Sequence, residues 1–169
     1  RWEIDAPVVI PGIEATQPST RNAVRNVLSR AFMHRRLWLN DPDCLMARTK
    51  DTKLAPGEAA TLAAAIGGTG GMLIYSDDWA SLGAEGRALL VDTLELAREV
   101  DGMQGGRTVR TLGLFDPEMA HGTTAGDGER TVTVLLNGTE APAPRRAPGG
   151  ETRTVAPRSA EILREGPPP

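Results

Sequence analysis

The sequence predicts an α/β arrangement with parallel strands over its first hundred or so residues, followed by a β-rich remainder. Three observations carry this. Two short apolar runs, at 37–39 and 71–75, each end in acidic residues. Stretches with apolar residues at helical spacing come before, between and after those runs. Beyond the glycine-containing break at 102–106 the pattern changes to short β-branched runs separated by connections rich in Gly, Pro and Thr.

Residues 1–18 read as irregular, because Pro7, Pro11, Gly12 and Pro18 interrupt each short apolar piece. Ser19 or Thr20 suits a helix N-cap, and a helix is predicted over 21–35. Val24, Val27, Leu28, Ala31 and Phe32 form its apolar stripe. Arg21, Arg25 and Arg30 fall off that stripe, and Arg35 and Arg36 suit the negative end of the helix dipole. A buried strand is predicted at 37–39, followed by the turn Asn40-Asp41-Pro42-Asp43. Pro42 fixes its own φ and holds Asp41 extended, so two carboxylates sit on a stiff turn. Carboxylates at the ends of buried parallel strands stand where many α/β enzymes keep their chemistry.

A connection follows at 45–57, then an Ala-rich helix at 58–66 stopped by Gly67 and Gly68. The run 71–75 is apolar without alternation, as in a strand covered on both faces. It ends in Ser76-Asp77-Asp78. A third helix is predicted over 84–100, burying Leu89, Leu90, Leu94, Leu96 and Val100. Helix, strand, helix, strand, helix is the repeat of a right-handed parallel sheet. Two strands do not make such a sheet alone, so the repeat implies either a larger βα assembly or a pairing partner. In the remainder, strands are predicted at 109–114, 130–136, 152–155 and 160–163. Loops are predicted at 117–128 and 138–151, with a Pro-rich disordered tail at 166–169. The domain reading is 1–103, 107–165 and the tail.

Composition narrows the function. The chain is 40% hydrophobic but only 4% aromatic, and 19 glycines and 13 prolines make its second half loop-rich. A net charge of −3 is too slight to favour nucleic acid or anionic membrane as a partner. No apolar run is long enough to span a bilayer and no signal peptide is visible. Cys44 is the single cysteine, so no internal disulfide forms, and cysteine usage does not separate a cytoplasmic from a secreted compartment. No His/Cys group has metal-ligand spacing, so no structural zinc is expected. The glycine run 67–71 precedes a strand rather than opening a helix, the reverse of a phosphate loop. No cofactor is expected.

The run from Arg30 to Leu45, with Trp38-Leu39-Asn40-Asp41-Pro42-Asp43 at its heart, resembles the melibiase-type α-galactosidases of glycoside hydrolase family 36 and their relatives. Those enzymes carry a Trp-(x)-Asn-Asp-Pro-Asp turn after the seventh strand of a (β/α)8 barrel. Residues 70–78 are similar to their eighth strand, and the β-rich remainder to their C-terminal antiparallel domain. The resemblance therefore implies the last βα units of an incomplete TIM-type barrel, followed by a small antiparallel β-sandwich-like domain. It further implies part of a retaining glycoside hydrolase acting on α-galactosides. Such hydrolysis needs two carboxyl groups about 5–5.5 Å apart.

Arg1-Trp2-Glu3-Ile4-Asp5 matches the spacing of the family's Arg-x-x-x-Asp motif, which makes Asp5 the implied general acid/base and Arg1 a sugar contact. The intervening residues are bulkier than in the family, and the interval to Ala6-Pro7 is one residue shorter. The family's nucleophile has no counterpart in this chain, so the chain alone is expected to be inactive. Asp43 corresponds to a carboxylate that accepts hydrogen bonds from sugar hydroxyls. Trp38 either stacks on a sugar face or packs in the strand core, and Cys44 either lines the pocket or is a small buried hydrophobe. Asn40, Asp41 and Asp77 are expected to hold these groups in place. His34, on an Arg-rich helix, reads as a surface or packing residue. The alternatives are another glycosidase of the same scaffold with a different sugar preference, and a non-catalytic carbohydrate-binding or interaction module. A bare sheet edge would favour self-association.

Overall fold

The computed structural model describes residues 2, 19–103, 109–115 and 121–167. Most of the irregular start, the break after residue 103, part of the 117–128 loop and the last two prolines lie outside them. Helix α1 (Thr20–Arg30) is capped by the Ser19 hydroxyl, which accepts from the Asn22 amide at 3.1 Å. It buries Val24 and Leu28, and the chain then tightens into a 3-10 turn at Ala31–Met33.

Helix α2 (Pro56–Gly67) begins with proline at its first position, where the missing N–H costs nothing. Its Glu58 reaches back to accept from the Ala55 amide at 2.8 Å. The other Glu58 oxygen is held by Arg158 at 2.6 Å. The alanines of α2 are good helix formers and are short enough for neighbours to approach from several sides. Helix α3 (Ala84–Met103) packs against α2, burying Leu90, Leu96, Val100 and Met103.

Strands β1 (Cys44–Leu45) and β2 (Ile74–Tyr75) form a parallel pair, with Cys44 opposite Ile74. A four-stranded antiparallel sheet follows in the order β3 (Arg110–Leu112), β4 (Gly122–Gly126), β5 (Thr131–Asn137), β8 (Ser159–Glu165). A separate antiparallel ribbon joins β6 (Ala143–Arg146) to β7 (Thr152–Val155).

Strand β5 is buried on both faces. Val132, Val134 and Leu136 join the core formed with the helices. Leu135, on the other face, packs with Ala147 and Val155 of the ribbon. The result is a layer of helices, then a sheet, then a ribbon. Trp2 is buried in the first core, and its indole N–H donates to the Gly138 carbonyl at 3.2 Å. Asn137 ties sheet to ribbon, its amide donating to the carbonyls of Ala141, Val155 and Ala156 at 2.8–3.0 Å.

This architecture overturns the barrel expectation. Among the described residues there are three α-helices and several antiparallel sheets, and the one parallel pair has two residues per strand. Among the described residues this single β1–α2–β2 unit is not extended into a TIM-barrel repeat. The reason lies at 37–39, where the alternation needed a strand. The Arg35 amide donates to the Trp38 carbonyl at 2.8 Å, and the Leu37 amide donates to Met33 at 3.0 Å. The chain doubles back there, leaving Leu37 66% and Leu39 69% exposed. The short strand comes after the acidic turn instead.

Two strands fall inside predicted loops. In β4, Gly122 allows close contact, since a Cβ there would lie 2.2 Å from the Val134 oxygen. In β6, Pro144 sits in a two-stranded ribbon, where one edge needs no donor. Gly68 does not end α2 by a left-handed cap. A Cβ there would lie 2.8 Å from both the Thr123 hydroxyl and a Val134 methyl, so the glycine lets helix and sheet touch. No described helix is long and apolar enough to cross a membrane.

The β4–β5 hairpin turn carries a carboxylate with a lowered pKa. Asp127 accepts from the Arg130 and Glu129 amides and from the Arg130 guanidinium, at 2.8–3.1 Å. Those bonds, the Arg130 amide first, bring its pKa down to about 2. A depressed carboxylate stabilises the fold above its unfolded value of about 3.9 and loses that contribution as pH falls through about 2. Asp127→Asn is expected to be less stable at pH 7 and to flatten the acid limb of the stability curve between about pH 4 and pH 2, followed by urea melts across that range.

Candidate functional site

The acidic turn and the end of α1 enclose a cleft of about 190 Å3, lined among others by Asn26, Arg30, Trp38, Asn40, Asp41 and Asp43. Its shape begins with Asn40. The Asn40 amide N–H donates to His34 Nδ1 at 3.0 Å, and its side chain donates to the Arg30 carbonyl at 2.8 Å. Its carbonyl accepts from the Met72 amide at 2.9 Å. One buried residue thus closes the end of α1, holds the turn and joins it to the approach of β2. The Arg30 carbonyl is one that a helix end leaves without an intrahelical donor, so the contact satisfies a group that would otherwise be orphaned.

The two carboxylates beyond Asn40 are fixed by the backbone. Asp41 Oδ1 accepts from the Asp43 amide at 2.9 Å, and Asp43 Oδ1 accepts from the Cys44 amide at 2.7 Å. Asp43 takes a φ of 76°, a conformation that aspartate tolerates better than most residues because its side chain bonds locally. A carboxylate offers about four lone-pair sites, so one accepted bond each leaves both with ample acceptor capacity. Both residues are exposed. Trp38 is 55% exposed, which removes its alternative as a core residue and places an aromatic face beside two anionic acceptors.

Trp38, Asn40, Asp41 and Asp43 therefore meet in one place. Cys44, half-buried at the start of β1, adjoins the turn but does not line the cleft. Asp77 is elsewhere. Because β1 and β2 are parallel, the acidic turn lies at their beginning and Asp77 beyond their end. Asp77 accepts from the Ala47 amide at 2.6 Å and the Arg48 amide at 3.0 Å, and pairs with the Arg48 guanidinium at 3.4 Å. With 3% of its side chain exposed, its acceptor capacity is spent inside the fold. Asp78 caps the next turn by accepting from the Ala80 amide at 3.0 Å. Burial, then the negative charges of Asp77 and Asp78, push the nearby Tyr75 hydroxyl up from its ordinary pKa. Arg1 and Asp5 lie outside the described residues.

Of the two readings the sequence left for His34, surface or packing, the structure takes packing, but on the turn after α1 rather than on the helix. It is buried, and its ring organises the turn. Its spacing of six residues from Asn40 carries no signal, since the bond goes to a backbone amide.

A wider groove of about 830 Å3 between α3 and the sheet is lined by Asp92, Glu95, Arg98, Glu99, Arg130 and Arg164. There Glu99 holds Arg164 at 2.9 Å and Asp127 holds Arg130 at 2.9 Å, and no aromatic face is present. Among the described residues no group of three or more His, Cys, Asp or Glu side chains is arranged to hold a metal ion. No protein-family profile matches the chain.

Asp77→Ala leaves the Ala47 and Arg48 amides without their acceptor. At about 1–3 kcal/mol for a buried donor left unpaired, a loss of about 3 kcal/mol is expected, read from the shift in urea midpoint at unchanged slope.

Proposed function

We propose that the cleft beside Trp38 binds the ring of a hexopyranoside, with α-galactosides as the first candidate. In this reading the chain supplies sugar-binding surface to a retaining α-galactosidase-like activity without contributing its nucleophile. The supporting observation is the exposed Trp38 ring next to the Asp41 and Asp43 carboxylates. A pyranose has an apolar C–H face and a rim of hydroxyls. An aromatic face covers the first, and ionised carboxylates accept strongly from the second. Asn26 and Arg30 add donors to the lining from α1. The cleft is below the roughly 300 Å3 of pockets that hold drug-sized ligands, which limits it to about one ring.

The cleft also explains why a binding role is favoured over catalysis by this chain alone. Both of its carboxylates already hold backbone amides on one stiff turn. Neither is placed as the opposing partner of the other across a bound ring.

Titration with methyl α-galactoside and methyl α-glucoside, followed by the Trp38 indole resonance, tests the proposal. Saturable binding of the galactoside is expected. Asp43→Asn, which tolerates the same backbone conformation, should weaken it by roughly ten- to a hundredfold, the worth of about 1.5–3 kcal/mol for a hydrogen bond to a charged group. Trp38→Ala should abolish it. No nitrophenol release from a nitrophenyl α-galactoside is expected. Absence of binding at millimolar sugar would refute the proposal.

A further inference from the structure

The turn that carries the cleft hangs on a ring nitrogen with only one way to make its bond. The Asn40 amide N–H can only donate, so His34 Nδ1, 3.0 Å away, must be an unprotonated acceptor. The ring is therefore neutral, with its proton on Nε2. That nitrogen is buried and points toward the Gly70 backbone without completing a hydrogen bond of normal geometry. A second contact ties the ring's own backbone to the turn, through the bridge between His34 and Trp38.

We propose that His34 is a pH-sensitive latch for residues 35–43. With the ring neutral it accepts the Asn40 amide and holds the cleft in shape. When a solvent proton binds Nδ1, both ring nitrogens become donors. The Asn40 bond is then lost, and two N–H groups face each other. Asn40 is also the link to α1 and to the β2 approach, so loosening it frees Trp38, Asp41 and Asp43 together.

The strained turn assists the release. Arg35 and Asp43, at the two ends of this segment, both have positive φ, at 59° and 76°. Such conformations persist only while their surroundings hold them.

The charges around the ring set the direction of the response. Arg35 on the same turn disfavours protonation, and Asp101 on α3 favours it. The two are paired with each other at 2.6 Å, so their effects partly cancel. Strand β3, packed on the same 3-10 turn, brings Arg110, which is exposed. Arg30, at the end of α1, reaches the network through its carbonyl. Burial is the largest influence, and it holds the His34 pKa below 6.5. A lowered histidine destabilises the fold as pH falls through the unfolded value of about 6.5, until the folded value is reached. The latch therefore opens only as pH falls through the lowered folded-state value, and is closed at pH 6.5 and above.

Loss of bound sugar when the latch opens rests on the sugar reading, whereas the latch itself does not. Nitrogen NMR of the two histidines and of the Asn40 and Trp38 N–H groups, from pH 7.5 to pH 5, separates them. At pH 7.5 the His34 Nδ1 signal should be that of an unprotonated nitrogen. The Asn40 amide and Trp38 indole should then shift with the same midpoint as the His34 ring. His34→Asn places a carbonyl oxygen near the Nδ1 position. It should keep the pH 7.5 positions of these signals and lose their pH dependence.

A protonated Nδ1 at pH 7.5 would overturn the latch. So would loop signals that stay flat while His34 titrates. These two readings need only the native chain, should the variant fail to fold. With methyl α-galactoside as the probe, affinity should be lost in step with protonation of the His34 ring as pH is lowered. If the loop titrates with His34 but no sugar binds at either pH, the latch stands and the sugar reading fails.

Discussion

Helix α2 is buried along almost its whole length, and every other layer has to fit its surface. Residues from Ala59 to Gly67, with one half-buried position, are buried. Helix α1 lies against it on one side and α3 on another, and the faces of β5 and β8 close the rest. This is possible because the helix is built mostly from alanine, glycine and threonine, with Leu62 and Ile66 as its only large apolar side chains. Small residues let neighbouring backbones approach, and the gain comes from close packing rather than from side-chain bulk. One charge is buried with it. Glu58 is compensated by the Ala55 amide and by Arg158, which itself reaches out to Glu140. An uncompensated carboxylate there would be expensive, so the pair fixes where the β7–β8 turn sits on the helix.

The candidate site shows how little of this depends on charge alone. Of the four acids that draw attention in the sequence, Asp77 is consumed in holding backbone amides and Asp78 caps a turn away from the cleft. Asp41 and Asp43 also bind amides, but their turn projects from the surface beside a half-exposed tryptophan. What separates the two pairs is geometry. One acid of the first pair faces inward between β1 and its following loop, and the second pair faces a cleft. A carboxylate becomes a binding group when its local backbone bonds leave lone pairs pointing to open space.

Helices are the part of this molecule most legible in the sequence. The periodic leucines of α3 and the alanine run of α2 mark both within a few residues, because burial of one face leaves a repeating trace. The Ser19 cap is legible for the same local reason. The strands are less so. At 37–39 three apolar or aromatic residues suggest a buried strand, yet a turn closed by backbone bonds leaves Leu37 and Leu39 in solvent. In β4 and β6, Gly, Thr and Pro conceal strands whose existence depends on partners distant in sequence. The same limit applies to His34 and Asn40. The cluster Trp38, Asn40, Asp41, Asp43 can be read from adjacency, but the histidine that supports it works through a backbone amide. A residue's type says nothing about which amide will face it.

Cys44 has a consequence outside the chemistry of the cleft. It is the chain's one thiol, and it opens β1 immediately after the left-handed Asp43. Any maleimide or nitroxide attached to the protein will therefore report from a single place, at the seam between the acidic turn and the parallel pair. The protein carries its own attachment point for a spectroscopic probe, between the left-handed Asp43 and the β1–β2 pair.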